Sequence, residues 1–566
     1  MSQAIPDETD LVAIGGGAGG MTAALSGALN GLDVLLCEAT PQLGGTTATS
    51  AGTIWVPCNT PSREAGFADS YDEAMRYLDG LIPSGERRTL RETYLRTGPA
   101  IIDEIMRRTQ VRFVAAGQHP DYIDLPGSKT AGRAMAAVPY DGRLLGAGFA
   151  RVRPPMKEFM VLGGMMVGKA DIAHLLDRFR SWTSFRHTAA LVLRYAMDRL
   201  RFERGTRLVM GNALVARLYA SLLDAGVEVA FSAPLQALIV EGGRVQGVRL
   251  QREDGSIASV RARRGVVLAA GGIGRHPELR RQVMRPGQDQ WPSLAPPANR
   301  GGGVAAAVQA GAAIASVPGT AGVLYQPVSI TRDRHGPAGV FPHIFLDRAK
   351  PGFIAVDSDG QRFTNEGNSY HYFSDDMARH HAVRPAVPAW AVCDADFIRR
   401  YGLGLVHPGT TDLRPHVETG YLTCADTIET LAHRIGVNPQ GLAATVARNN
   451  EFARTGVDAD FGKGSTEVSR FNGDPDHRPN PCLGPIATPP FCAMQLWPAD
   501  AAADAGLATD ADAHVLRSDG TPIEGLYACG GDMASIMCGS YPAPGATIGP
   551  AMVFGWLAGA HAARAR

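Results

Sequence analysis

The stretch from Leu11 to Gly20 restricts what this chain can fold into more than any other. An apolar run, Leu11 to Ile14, reads as a buried parallel strand and leads straight into Gly15, Gly17 and Gly20, spaced G-x-G-x-x-G. Met21 to Leu29 then has a helix-forming composition. A turn of this kind brings backbone N–H groups up to a pyrophosphate at a helix N-terminus, and side chains larger than those of Ala18 and Gly19 would obstruct the approach. A second strand, Asp33 to Cys37, ends at Glu38, where a carboxylate can accept both hydroxyls of an adenosine ribose. Glycines in this spacing often serve only helix–strand packing. Strand, turn, helix and acid in that order predict a Rossmann-like dinucleotide site.

The following stretch decides which dinucleotide. Ala39 to Gly52 carries Gly44, Gly45, Thr46, Thr47 and Gly52, a second glycine- and hydroxyl-rich loop close behind the first. It suits an extended cofactor whose diphosphate and isoalloxazine continue past the first turn, namely FAD. No histidine lies between Gly44 and Gly52, so the flavin is expected to be non-covalent. Gly265 to Gly272 is another strand ending in small residues, and Leu235, Ala270 and Gly271 are read as cofactor contacts on neighbouring strands. Gly525 to Asp532 repeats the theme, with Gly531 beside the cofactor and Asp532 expected to hold the ribityl hydroxyls. Ala546 and Ile548 precede a closing helix over Val553–Ala563, whose free N–H groups suit the anionic pyrimidine edge of a reduced flavin.

With 566 residues the chain is too long for one simple core, and 45% hydrophobic residues allow a large interior. Lys+Arg and Asp+Glu are equal at 55, which argues against a nucleic-acid footprint. The eight cysteines form no C-x-x-C pair and no Cys/His ligand spacing, so no metal site is expected and a reducing cytoplasm fits best. Met1 to Asp10 is acidic and polar without a signal-peptide core, and no apolar run approaches a membrane span. Asn59 to about Gln110 reads as helices, including an amphipathic stretch over 86–108. Strand pattern returns at 227–231, 235–241, 245–252 and 257–261, and composition changes after about Glu278 until about Pro490. The expected fold is α/β: a split Rossmann-like FAD-binding domain (residues 1–278, with a helical insert at about 140–207, and 491–566) around an inserted α+β catalytic domain (279–490).

Between Asp171 and Arg207, leucines and aromatics alternate with arginines: Phe179, Trp182, Phe185, Leu193 and Leu200 among Arg178, Arg180, Arg186, Arg199 and Arg201. The favoured reading is an ordinary solvated helical excursion whose arginine stems cover apolar surface. The alternative is an amphipathic pair contacting an anionic lipid surface at the inner face of the membrane. A lid over the substrate entrance suits either.

Taken together, these stretches resemble the 3-ketosteroid Δ1-dehydrogenase family of the fumarate reductase/succinate dehydrogenase flavoprotein superfamily. The resemblance runs through Gly15–Gly20, Glu38, GGTTATSAGTIWVP at Gly44–Pro57, PDY at Pro120–Tyr122, QRFTNEGNSY at Gln361–Tyr370 and YPAPGATIGPAM at Tyr541–Met552. It implies that Tyr541 and the Gly545 N–H bind a substrate ketone, that Tyr370 removes the proton beside it, and that Tyr122 eases ionisation of Tyr370. The chain departs from the family's compact members in the longer insert, where Tyr195 would reach the site only if the insert folds back, and in the detail of Thr46–Gly52.

The implied activity is FAD-dependent 1,2-desaturation of a cyclic ketone, first of all a 3-oxosteroid, with a quinone-like external acceptor. A cyclohexanone-type ring ketone is the alternative substrate. A fumarate-reductase-like site would need arginines to hold two carboxylates, and Tyr541–Gly545 offers none. A flavin-binding module docking through the basic insert is the alternative of a different class.

Overall fold

The computed structural model describes residues 5–82, 85–333, 335–344 and 347–565; Met1–Ala4 of the acidic amino-terminal stretch lie outside them. The chain enters through β1 (Glu8–Ile14), α1 (Ala18–Leu29) and β2 (Val34–Cys37). The long helix α2 (Arg88–Arg108) and the insert helices α3 (Lys169–Leu176) and α4 (Trp182–Asp198) precede β3 (Glu228–Ala230), β4 (Leu235–Glu241), β5 (Arg244–Gln251) and β6 (Ile257–Leu268). The middle of the chain supplies β7 (Val323–Asp333), β8 (Gly336–Pro342), β9 (Ile354–Val356), α5 (Tyr370–His381), β10 (Ala389–Cys393), β11 (Thr423–Ala425) and β12 (Phe491–Ala503). It returns through β13 (His514–Leu516) and β14 (Pro522–Ala528) and closes on α6 (Ile548–Arg564).

Leu11–Ile14 of β1 is buried on both faces because it sits mid-sheet, parallel to β2 on one side and β6 on the other. Continuous apolar runs are what such a position demands. The first sheet runs β3-β2-β1-β6-β5-β4, with β14 added to β6 and β13 to β14. Where the sequence pattern suggests one strand over 257–261 and another from Gly265, β6 is continuous. Its first half pairs antiparallel with β5 and its last residues pair parallel with β14. Gly265 absorbs the change of partner at φ +129°, where a Cβ would lie 2.7 Å from the Gly525 carbonyl oxygen.

The second sheet runs β8-β7-β12-β10-β9, with β11 also on β12. β12 therefore belongs to the middle of the chain, and the return to the first sheet begins after Ala503 rather than at 491. A long apolar strand fits the centre of either sheet, and only its partners decide. The closing helix also starts earlier than expected, at Ile548, since Pro550 is tolerated in its first turn. α6 is tied to α1 through Ser26 Oγ, which donates to the Trp556 carbonyl (2.7 Å).

The expectation of reduced cysteines fails at one pair. Cys424 on β11 and Cys492 on β12 are register partners with Cα atoms 4.1 Å apart, and they form a disulfide. The other six are free. No described helix is long and apolar enough to cross a membrane, and among the described residues no cluster of His, Cys, Asp and Glu could hold a metal ion.

Candidate active site

The two glycine loops and the carboxylate between them meet at the carboxyl ends of β1 and β2. The Gly16 N–H donates to Glu38 Oε2 (2.9 Å), while Thr40 donates to Glu38 Oε1 from its N–H (2.9 Å) and its hydroxyl (2.8 Å). Burial pushes the Glu38 carboxyl above its ordinary range, and the Gly16 hydrogen bond pulls the other way. The second loop docks on the first: the Gly44 N–H donates to the Gly16 carbonyl (2.8 Å), and the Ala18 N–H donates to Thr47 Oγ1 (3.2 Å). Gly17 caps α1 without a side chain, so the first N–H groups of the helix face an open cradle.

A single cleft of about 720 Å³ runs from this cradle toward the second sheet. Gly15, Gly17, Ala18, Gly19, Glu38, Gly45, Thr46, Thr47, Gly52, Leu235, Ala270, Gly271, Gly531, Ala546 and Ile548 all line it. Three expected contacts do not. Gly20 sits beneath the turn, where a Cβ would come within 1.9 Å of the Gly15 carbonyl oxygen, and Gly44 faces Ala48 and Val215. Asp532 is fully buried and turned inward, its carboxylate accepting from the Ala270 N–H (2.6 Å) and the Gly272 N–H (2.7 Å). Burial raises that carboxyl to about 6. It braces the turn after β6 rather than offering itself to a ribityl chain. The cradle suits FAD: a carboxylate at the ribose end, small residues along the phosphate path, and the uncapped start of α6 at the far end.

At that far end the structure brings three tyrosines together. Ring centroids lie 5.6 Å apart for Tyr122 and Tyr370 (edge-on), 5.3 Å for Tyr370 and Tyr541 (edge-on), and 5.8 Å for Tyr122 and Tyr541 (stacked). All three rings line the cleft, as does Gly545. Each comes from a different segment, and each segment is braced. The Tyr122 N–H donates to the Pro542 carbonyl (2.7 Å), which also accepts from the Tyr77 hydroxyl (2.6 Å). Its neighbour Asp121 holds Trp55 Nε1 (2.9 Å) and Arg133 Nη1 (2.7 Å). Tyr370 opens α5 just beyond a turn held by Arg362, which grips Glu366 (2.7 Å) and Asp458 (2.8 Å).

Gly545 has a positive φ of +91°, and a Cβ there would meet the Thr53 carbonyl oxygen at 2.5 Å. Its carbonyl accepts from the Trp55 N–H (3.2 Å), and no described residue accepts from its own N–H. The Tyr122 hydroxyl is likewise buried without a hydrogen-bond partner among the described residues. Orphaned groups of this kind mark places where a ligand completes the bonding. Burial pushes the phenols of Tyr122, Tyr370 and Tyr541 above their usual value.

Tyr195 stands apart. It lies on α4, its hydroxyl donating to the Leu162 carbonyl (2.8 Å), and it does not line the cleft. The insert reaches the cleft through Met156 and Phe159, which with Pro342 and Ile344 form apolar wall. These side chains carry no motif, and their place follows from packing such as Phe159 on Phe341 (6.2 Å). Arg153 and Gln326 also line the cleft without a sequence signal. Further out, Phe179 (83%), Trp182 (72%) and Leu200 (84%) are exposed, although the Arg178 guanidinium covers the Phe179 ring.

Comparison with known proteins adds four findings. The sequence model of the FAD binding domain family matches residues 10–548. The chain is 38% identical over 560 residues to 4-oxocyclohex-2-ene-1-carboxylate 5-dehydrogenase of Sinomonas cyclohexanicum, covering 98% of this chain and 94% of the relative. It is 33% identical to 3-oxosteroid 1-dehydrogenase of Mycolicibacterium smegmatis, covering 97% and 96%. Among solved structures, 3-ketosteroid delta1-dehydrogenase from Sterolibacterium denitrificans in complex with 1,4-androstadiene-3,17-dione superposes with a TM-score of 0.91 at 34% identity, covering 99% of this chain and all of the other.

Proposed function

The chain belongs to the FAD-binding-domain family of flavoprotein oxidoreductases, alongside the 3-oxosteroid 1-dehydrogenases, and from that premise we propose that it desaturates a cyclic ketone beside its carbonyl. The observation that carries the reading is the gathering of Tyr122, Tyr370 and Tyr541, with centroids 5.3–5.8 Å apart, around the Gly545 end of the cleft. The Tyr541 hydroxyl and the Gly545 N–H donate to the ketone oxygen. As the proton beside the carbonyl leaves, negative charge builds on that oxygen, and fixed donors are worth most there. Tyr370 receives the proton on its phenolate oxygen, and Tyr122, whose hydroxyl is otherwise unbonded, stabilises that phenolate. FAD, held along the glycine loops, supplies the hydride acceptor for the adjacent carbon.

A 3-oxosteroid is the leading substrate class, supported by the 1,4-androstadiene-3,17-dione bound in the superposing structure and by the apolar wall of Met156, Phe159, Pro342 and Ile344. A small ring ketone is the second, favoured by the identity to the cyclohexene carboxylate dehydrogenase. A dicarboxylate substrate is disfavoured, because Arg362 is committed to Glu366 and Asp458. Anaerobic titration of the yellow holoenzyme with 4-ene-3-oxosteroids, saturated 3-oxosteroids and cyclohexanones separates these classes: the true substrate bleaches the flavin at stoichiometric concentration. No bleaching with any of them would refute the reading.

Electrons then pass to a quinone-like acceptor. The exposed Phe179, Trp182 and Leu200 favour contact of the insert with an anionic bilayer. Sedimentation with phosphatidylglycerol vesicles, lost in Trp182→Glu, tests that contact, and binding unchanged by the substitution would exclude it.

A further inference from the structure

Behind the tyrosines lies a buried cation that the chemistry above leaves unused. Arg348 is only 4% exposed. Its Nε donates to the His343 carbonyl (3.1 Å), its Nη1 to those of Glu366 (2.9 Å) and Asn368 (3.0 Å), and its Nη2 to that of Ile344 (3.4 Å). None of these acceptors is a carboxylate. The guanidinium also lies 4.8 Å above the Phe373 ring, one turn along α5 from Tyr370. Burial lowers its pKa to about 10, so it remains protonated at neutral pH. A buried cation without a side-chain anion in its grasp is costly, and a fold that keeps one has a use for the charge.

The surrounding ionisable groups each hydrogen-bond a partner other than the Arg348 guanidinium, although Asp347 and Glu366 also act on its charge through space. Asp347 pairs with His343, and its Oδ1 accepts only the backbone N–H of Arg348 (2.8 Å). Glu366 is gripped by Arg362 (2.7 Å) and lies 3.7 Å from Lys463 Nζ, while Asp458 takes the other side of Arg362. On α5, Asp375 is shared between Arg285 (2.9 Å) and Arg379 (2.6 Å). His371 bonds the Tyr325 N–H and the Gly539 carbonyl, and burial depresses its pKa, which keeps it neutral. The Arg348 charge acts on Asp347, Glu366 and Tyr122, in that order, and its guanidinium grips the very turn that delivers Tyr370.

We propose that Arg348 is a positioning residue for proton removal: it aims Tyr370 through the Glu366–Asn368 carbonyls, and its charge favours the phenolate shared by Tyr122 and Tyr370. The inference rests on Tyr370 being the base, so the experiment includes a Tyr370→Phe control. Holoenzymes carrying Arg348→Gln and Arg348→Lys are compared with the parent by the pH profile of kcat/KM and by the tyrosinate absorbance that grows in on alkaline titration. In Arg348→Gln the ascending limb and the tyrosinate transition both move to higher pH by about one unit or more, a loss of about tenfold or more in kcat/KM at fixed pH. In Arg348→Lys the charge survives but the four-carbonyl grip does not, so kcat falls while the limb stays in place.

A Gln variant titrating like the parent overturns the proposal, as does a Lys variant whose limb moves as far as that of the Gln variant. If Arg348→Gln fails to retain FAD, the Lys variant decides alone: a fixed limb supports the proposal and a displaced one refutes it. Full activity in Tyr370→Phe would instead refute the assignment of the base.

Discussion

Replacing Tyr541 by Phe isolates the ketone clamp. The ring stays, so its stacking on Tyr122 (5.8 Å) and its edge contact with Tyr370 (5.3 Å) are preserved, and only a hydroxyl on a residue 8% exposed is lost. One donor aimed at a developing oxyanion is worth about 2.7–4 kcal/mol, or about 10²–10³ in kcat. The Gly545 N–H remains, which keeps the loss within that range rather than abolishing turnover. In the ground state the same bond joins two neutral groups and contributes only about 1 kcal/mol, so substrate Kd should weaken by no more than about fivefold. Steady-state desaturation with an artificial electron acceptor gives kcat, and the perturbation of the flavin spectrum on substrate binding gives Kd. A kcat within about threefold of the parent would mean that the Tyr541 hydroxyl does not grip the oxyanion. That grip is equally refuted if Kd rises and kcat/KM falls in proportion with kcat unchanged, since that would mark uniform binding rather than transition-state stabilisation.

Three further outcomes are expected. Tyr370→Phe lowers kcat by about 10²–10⁴; because burial holds that phenol above its ordinary value, the phenolate fraction rises with pH, and kcat/KM of the parent should climb through the neutral and mildly alkaline range. A flat parent profile over that range would contradict the base. Glu38→Ala removes the carboxylate that links Gly16 to Thr40, and at about 1.5–3 kcal/mol for charge-assisted hydrogen bonds FAD binding weakens about 10–100-fold, read from fluorescence quenching on reconstitution of apoenzyme. Phe159→Ala strips apolar wall from the substrate end, so KM for a steroid rises about 5–20-fold with kcat little changed, at about 25 cal/mol per Å² of lost burial; an unaltered KM would place the substrate elsewhere in the cleft.

What was legible in the sequence is what the backbone itself requires. Gly15, Gly17 and Gly19 line the cofactor cradle, and at Gly15 and Gly19 an added Cβ would press on Ala269 (2.2 Å) and Cys529 (3.0 Å), a constraint that leaves a spacing that can be read. Gly20 and Gly44 obey the same constraint for a different reason, close packing under the turns, and sequence does not separate the two causes. Asp532 shows the limit for side chains. Strand, glycines and acid occur in the expected order, yet the carboxylate faces two backbone N–H groups rather than the cleft. Cys424 and Cys492 show the limit for partners: 68 residues separate them, and only the pairing of β11 with β12 sets them side by side.

The tyrosine site follows the same division and explains why its support could not be read. Tyr122, Tyr370 and Tyr541 each sit in a recognisable segment, but their convergence depends on contacts between segments with no local signature. Tyr122 is hung from the Pro542 carbonyl, so the first and third segments position each other directly. Tyr370 is positioned from behind, by Arg362 through Glu366 and by Arg348 through the carbonyls of 366 and 368. Two arginines of one composition thus do different work. Arg362 spends its charge on two carboxylates that it hydrogen-bonds, whereas Arg348 hydrogen-bonds only carbonyl oxygens and acts through space on Asp347, Glu366 and the Tyr122 phenol. If Tyr370 is the base, its anion needs support near neutrality, and the proposed source of that support is the buried Arg348, which acts on the neighbouring Tyr122 and holds the turn before Tyr370.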